Sequence, residues 1–216
     1  MGVFSTTVLL GALLAFIFGT GFAKGMQAFV AFQLGDRLPR SEGRMSFSPT
    51  RHHEPLGLLL ALFLGLGVQV VAWGKPLNQN PFGNRLKRFG GTLVSLTGPV
   101  SYVVLGLISG VITRAVAGSV PDFIYELLFT FTFFNFLLAA FNLLPIPPLD
   151  GYGIIKGLIS PNWDVKLVWL ETYGPVLILV LALILPFFLR NFNLLYLFFT
   201  PIVSLFMNLL GLPSPL

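Results

Sequence analysis

The residues of this chain with the clearest chemical potential sit among stretches short of polar groups. Asp150 closes the run Asn142-Leu143-Leu144-Pro145-Ile146-Pro147-Pro148-Leu149-Asp150-Gly151. Each proline lacks an N–H and fixes φ, so a helix cannot continue through this run. The neighbours are still apolar, and a broken backbone at membrane depth is tolerated only where protein or a cavity surrounds it. Two readings stay open: an intramembrane site around Asp150 and Asn142, or a helix that ends at the surface on a proline stop. Lys24 is the only charge in the first apolar run, Val3 to about Leu34. A lysine at the bilayer centre costs roughly 2.5 to 3.5 kcal/mol on insertion scales. Such a residue either faces the bundle interior and finds a partner or snorkels to the interface. The chain's two histidines, His52 and His53, are adjacent and followed by Glu54. Adjacent side chains diverge on a helix or strand, so this pair does not naturally converge on one ion.

These residues need elements to position them, and composition fixes their kind. The 216 residues are 55% hydrophobic and 10% charged, against about 25% charged in soluble domains. Such a chain needs lipid as part of its solvent. The net charge of +5 does not signal nucleic acid. Its basic residues lie in short connectors, with Arg37, Arg40, Arg44 and Arg51 in one and Lys75, Arg85, Lys87 and Arg88 in the next. Basic connectors face headgroups. The absence of cysteine excludes disulfides and cysteine zinc sites.

Six apolar runs are long enough, or nearly so, to cross the roughly 20-residue span of hydrocarbon. They are Val3–Leu34, Leu56–Trp73, Thr92–Val116, Phe123–Leu144, Val168–Leu189 and Leu194–Leu212. They show no two-residue alternation, so they read as helices rather than barrel strands. The expected fold is all-α: one polytopic membrane domain over residues 1–216, multi-pass in the cell membrane, in contact with the lipid bilayer. The chain breaks near 145–148, and a short surface strand or loop element lies near 36–55, centred on Arg44-Met45-Ser46-Phe47-Ser48. If the six runs simply alternate, six basic residues fall on each side, which suggests a re-entrant segment around 142–159. Gly21 with Gly25, and Gly106 with Gly110, have the spacing of close helix–helix approach.

Several of these segments together resemble the site-2 protease family of intramembrane zinc metalloproteases. Asn142-x-x-Pro145-x-x-Pro148-Leu149-Asp150-Gly151 resembles its second metal motif, in which the Asp is a zinc ligand. Ala28-x-x-Ala31-x-x-Leu34-Gly35-Asp36 resembles the stretch that follows the family's HExxH. Ser48-Pro49-x-x-His52-x-x-Pro55-Leu56-Gly57, Gly74-Lys75-Pro76 and Gly98-Pro99-x-Ser101 resemble further blocks. The matches fall in family order over about residues 10–160, followed by C-terminal membrane helices at about 168–212.

The resemblance also fixes where HExxH belongs. Its two histidine positions read Ala23 and Gln27, and its glutamate position reads Lys24. Two residues four apart share one helix face, which is how HExxH presents two imidazoles to one zinc. Ala23 offers no ligand, and Gln27 offers a poor one. A protonated Lys24 cannot take a proton from zinc-bound water, and its charge repels a metal. Asp150 alone of the expected set remains, so the resemblance implies no catalytic zinc and no cofactor, although active members carry zinc. If the family fold is kept, Lys24 and Asp150 line one site and form a buried ion pair, with Gln27 and Asn142 supplying hydrogen bonds. A shifted metal site using His52, Glu54 and Asp150 is a lesser reading; His52 is better placed to bond backbone. The function expected is a non-catalytic homologue that binds a transmembrane helix of another protein. The alternatives are an active protease with an unusual metal site and a small transporter or channel that reuses the polar site.

Overall fold

The computed structural model describes residues 6–53, 55–65, 72–80, 82–181 and 194–215. Every regular element among them is helical. The first helix, α1, runs Thr6–Gln33 and contains a π-helical turn at Ala15–Gly19. After it come α2 (Leu38–Ser41), α3 (Pro55–Gly65), α4 (Lys87–Ala115) and α5 (Asp122–Asn142). Then follow α6 (Asp150–Leu158), α7 (Asp164–Leu179) and α8 (Leu194–Leu209).

Among the described residues three helices, α1, α4 and α5, are long and apolar enough to cross a membrane. At 1.5 Å per residue, α1 and α4 are each about 40 Å long. The other three of the six expected crossings fall partly on or beside residues outside the described ones. The run Leu56–Trp73 gives the shorter α3, then residues 66–71 outside the described ones, then chain without regular structure at 72–80. The fifth run yields α7, with residues 182–193 outside the described ones, and the sixth yields the 16-residue α8.

Helix α4 is central and packs on α1, α5 and α6; α5 also contacts α1 and α8. The core joins Phe16 and Ala23 of α1, Tyr102 of α4, Phe136 and Phe141 of α5, and Val203 and Met207 of α8. Phe136 stacks on Phe206 at 5.1 Å, and Phe141 meets Phe199 edge-on. The outward faces carry exposed apolar side chains such as Phe18, Val100, Ile108, Val111 and Leu205. Water does not tolerate so much apolar surface, whereas lipid does.

Helix α5 starts behind Pro121, with Asp122 in its first turn where the helix dipole favours an acid. It stops at Asn142 because the prolines at 145, 147 and 148 cannot extend it. The chain turns, with Leu149 N–H donating to Ile146 O at 3.0 Å, and restarts at Asp150 as α6.

No strand forms among the described residues of the 36–55 element. The chain there is α2, a loop and a 3-10 turn at Pro49–Arg51. Its polar backbone groups bond side chains instead of a neighbouring strand. Ser46 O meets the His52 ring, and Ser48 N–H donates to Ser46 Oγ. Buried Arg44 ties this loop down by donating to Arg51 O (2.5 Å) and Lys75 O (2.7 Å). The glycine pairs also divide. Gly106 and Gly110 do face neighbouring helices, against Phe136 and against Leu210 with Thr132. Gly21 and Gly25 instead admit the loop at Ser46–Phe47.

Candidate functional site

Thr20, Lys24 and Gln27 recur at helical spacing and share one face of α1. All three are buried, with Lys24 only 2% exposed. Thr20 Oγ1 and Tyr102 Oη are 2.8 Å apart. Lys24 Nζ lies 2.8 Å from Asp150 Oδ1, and this pair is buried on both sides. Lys24 therefore does not snorkel. A charge in this position carries a large desolvation cost, which the carboxylate offsets through a charge-assisted hydrogen bond.

Gln27 reaches a carbonyl that proline leaves free. Pro99 lies inside α4 and has no N–H to give to the carbonyl four residues back, that of Ser95. Gln27 Nε2 donates to Ser95 O at 3.3 Å. Gly98 completes this corner. A Cβ there would collide with Asp150 Oδ2 and come within 2.5 Å of Gln27 Nε2. Only a glycine lets α4 approach the two side chains so closely.

Asp150 is held by its own helix and that helix's seat. It lies in the first turn of α6, where a negative charge suits the helix dipole. Gly153 and Gly157 of α6 fit against Ser95 and Thr92 of α4. Gly174 of α7 lies against Pro147 and so covers the proline turn. At the far end Arg88 donates to both carboxylate oxygens of Asp164, at 2.7 and 3.1 Å, and to Lys156 O. The Arg88 hydrogen bond holds the Asp164 carboxyl below its ordinary range.

The structure thus gathers Ala23, Lys24, Gln27 and Asp150 and leaves the other candidates out. Asn142 is buried, but its amide donates back to Leu138 O of its own helix at 2.8 Å. Neither it nor Gln27 bonds the ion pair. The His52 ring is fully buried and bonds Ser46 O, with Nδ1 unpartnered. Burial lowers His52 to about 4, more than the Ser46 bond raises it, and Arg44 lowers it further. His53 turns away towards Pro49 O and Phe16 O, and Glu54 lies outside the described residues.

Catalytic zinc needs three protein ligands and an open position for water. Among the described residues no group of three His, Cys, Asp or Glu could hold a metal. The side chains around Asp150 are an ammonium and an amide, and the ammonium already occupies Oδ1. These residues do not fit zinc.

Ser95, Gly98, Tyr102 and the Gly153–Gly157 pair were not singled out from sequence as site residues. One signal did exist for Ser95: a proline inside a helical run marks the carbonyl four residues earlier as free.

Residues 5–162 match peptidase family M50. Proteins named "Putative zinc metalloprotease" are among those this chain is similar to. YwhC of Bacillus subtilis is 35% identical over 164 residues, which cover 71% of this chain and 71% of YwhC. Rip2 of Mycolicibacterium smegmatis is 30% identical over 181 residues, covering 80% of this chain and 66% of Rip2. Rip2 of Mycobacterium tuberculosis (strain H37Rv) is 29% identical over 159 residues, covering 72% of this chain and 60% of Rip2. No solved structure matches.

Proposed function

Since the chain belongs to peptidase family M50, the site-2 protease family, we propose that it is a non-cleaving member that binds a membrane-spanning segment of a partner protein. The observation that carries this reading is the contact of Lys24 Nζ with Asp150 Oδ1 at 2.8 Å. The one acidic side chain matching the family's ligand pattern is engaged by a cation from α1 itself. With Ala23 and Gln27 at the histidine positions, the site lacks a base to activate water and the ligands to hold a metal.

The rest of the frame suits binding. Helix α4 is notched by Gly98 and Pro99 beside the ion pair. A cavity of about 190 Å³ borders Gln27, Ser95 and Asp150. The exposed apolar faces of α1 and α4 are fit for lipid and for another helix. A family fold with its chemistry replaced by an ion pair can hold a membrane segment and release it intact.

The test is reconstitution in vesicles with a single-span reporter peptide. The expected result is association with the peptide intact. Cleavage that a chelator abolishes would overturn the reading.

A further inference from the structure

A groove of about 340 Å³ lies between α1 and the loop at 45–47. Gly25, Met26 and Phe29 line one side, and Met45, Ser46 and Phe47 the other. Gly25 lets the loop come close, since a Cβ there would stand 2.8 Å from Phe47 Cδ1. Phe47 stacks on Phe22 at 5.5 Å, yet it stays 60% exposed, and Phe29 44%. The groove offers a ligand little to hydrogen-bond. Ser46 O already meets the His52 ring, and Ser46 Oγ accepts from Ser48 N–H. Phe22, Gly25, Phe29 and Phe32 recur at helical spacing and form one stripe along α1. A cation tops the stripe, with the Arg40 guanidinium carbon 4.9 Å from the Phe32 ring centre. Arg51 joins Arg40 across Gly43. The Gly43 N–H donates to Arg40 O at 3.0 Å, and Arg51 Nη1 lies 3.3 Å from where a Gly43 Cβ would stand. Both arginines are exposed, and among the described residues neither has an ion-pair partner. Residues 37–51 hold four arginines against one acid, Glu42, which accepts from Asn78 Nδ2.

We propose that this groove holds one acyl chain of an anionic phospholipid whose phosphate is bound by Arg40 and Arg51. Three features select this ligand. First, the charge is complementary. Guanidinium groups bond phosphate oxygens well, and a basic connector at a helix end draws anionic headgroups. Second, the depth fits. Helix α1 is apolar enough to cross a membrane and ends at Gln33, just before the arginines. Gly25 lies about 12 Å inside that end at 1.5 Å per residue. A chain hanging from a phosphate at Arg40 therefore runs down past Phe32 and Phe29 into the groove. Third, the lining suits an alkyl chain. Met26 and Met45 are flexible and adapt to chains of varied shape. A peptide backbone would bring polar groups that this lining leaves unsatisfied. The proposal is independent of whether the site at Asp150 binds or cleaves a membrane segment.

The test uses the full chain in phosphatidylcholine vesicles with a trace of phosphatidylglycerol that carries a diazirine on one acyl chain. After illumination, mass spectrometry of peptides locates the label. The label is expected at Met26, Phe29, Met45 and Phe47, about tenfold above that from a phosphatidylcholine probe with the same chains. Unlabelled phosphatidylglycerol should displace it, and the free headgroup glycerophosphoglycerol should not. Arg40→Gln with Arg51→Gln is expected to bring the yield down to the phosphatidylcholine level. Arg40→Lys with Arg51→Lys keeps the charge and should retain most of it. Equal labelling by the two probes overturns the proposal, as does label spread alike over Val100 and Ile108 of α4, or a yield unchanged in the glutamine variant. Displacement by the free headgroup overturns it in favour of a phosphate site without an acyl chain. Equal probes that a polyleucine transmembrane peptide displaces overturn it in favour of a peptide. The comparison of probes needs no variant, so a misfolded one does not remove the test.

Discussion

Gln27 Nε2 donates to the Ser95 carbonyl that Pro99 leaves unpaired. Gln27, where the resemblance expects a histidine of HExxH, thus patches a broken helix. Pro99→Ala supplies the missing N–H, and Ser95 O then closes its own helical bond. The expected result is a Gln27 amide released from its acceptor, seen as a shift of its side-chain NH₂ resonances. The net stability change should be small, within about 1 kcal/mol, because one hydrogen bond replaces another. An unchanged Gln27 signal contradicts this geometry.

The ion pair predicts a coupling. Lys24→Met leaves a buried carboxylate without its cation, and Asp150→Asn leaves a buried ammonium without its anion. Each is expected to destabilise by about 3 kcal/mol or more, since breaking a buried pair costs more than replacing it. The double variant should cost well under the sum of the two. Unfolding measured through a double-mutant cycle checks this, and strictly additive losses would show that the two charges do not interact.

The close approach at Gly98 predicts intolerance of even a methyl group. Gly98→Ala presses on Asp150 and Gln27 and should destabilise by about 1 to 3 kcal/mol, the usual cost of overpacking. Adding Gln27→Ala opens space at one of the two contacts and should recover part of that loss in the same unfolding assay.

His52 predicts a pH dependence. Its value falls from 6.5 in the unfolded chain to about 4 when folded, chiefly through burial. The neutral ring is the form the fold prefers. Above pH 6.5 both states are neutral and nothing is lost. As pH falls from 6.5 towards 4, the unfolded chain takes up a proton that the folded one refuses. Stability should drop by about 3 kcal/mol across that window. Unfolding measured from pH 7 to 4 should show this slope, and His52→Gln should flatten it.

How much was legible in the sequence follows from the physics of each residue. Lys24 and Asp150 were readable because a lone charge in an apolar run needs a partner, and the motif order put the two at one site. The proline break was readable because it is local chemistry. Asn142 is open to more than one partner on sequence grounds. A residue in the last turn of a helix reaches its own carbonyls as easily as a neighbour, and it bonds Leu138. The alternating piece at 44–48 left a strand or a loop open, and it is a loop, since a strand needs an edge to pair with. Arg44 and His52 give that loop side-chain partners instead. The seat of α6 on α4 through Gly153 and Gly157 depends on which helices meet, and spacing alone does not tell this.

The central claim is that the Lys24 ammonium stands where active relatives would place a metal. The most direct measurement is the metal content of the purified protein after incubation with excess zinc and removal of the free ion. The account predicts zinc far below one equivalent per chain, and an unfolding curve that zinc and chelator leave in place. One equivalent of zinc, retained by the wild-type chain and lost in Asp150→Asn, would contradict it.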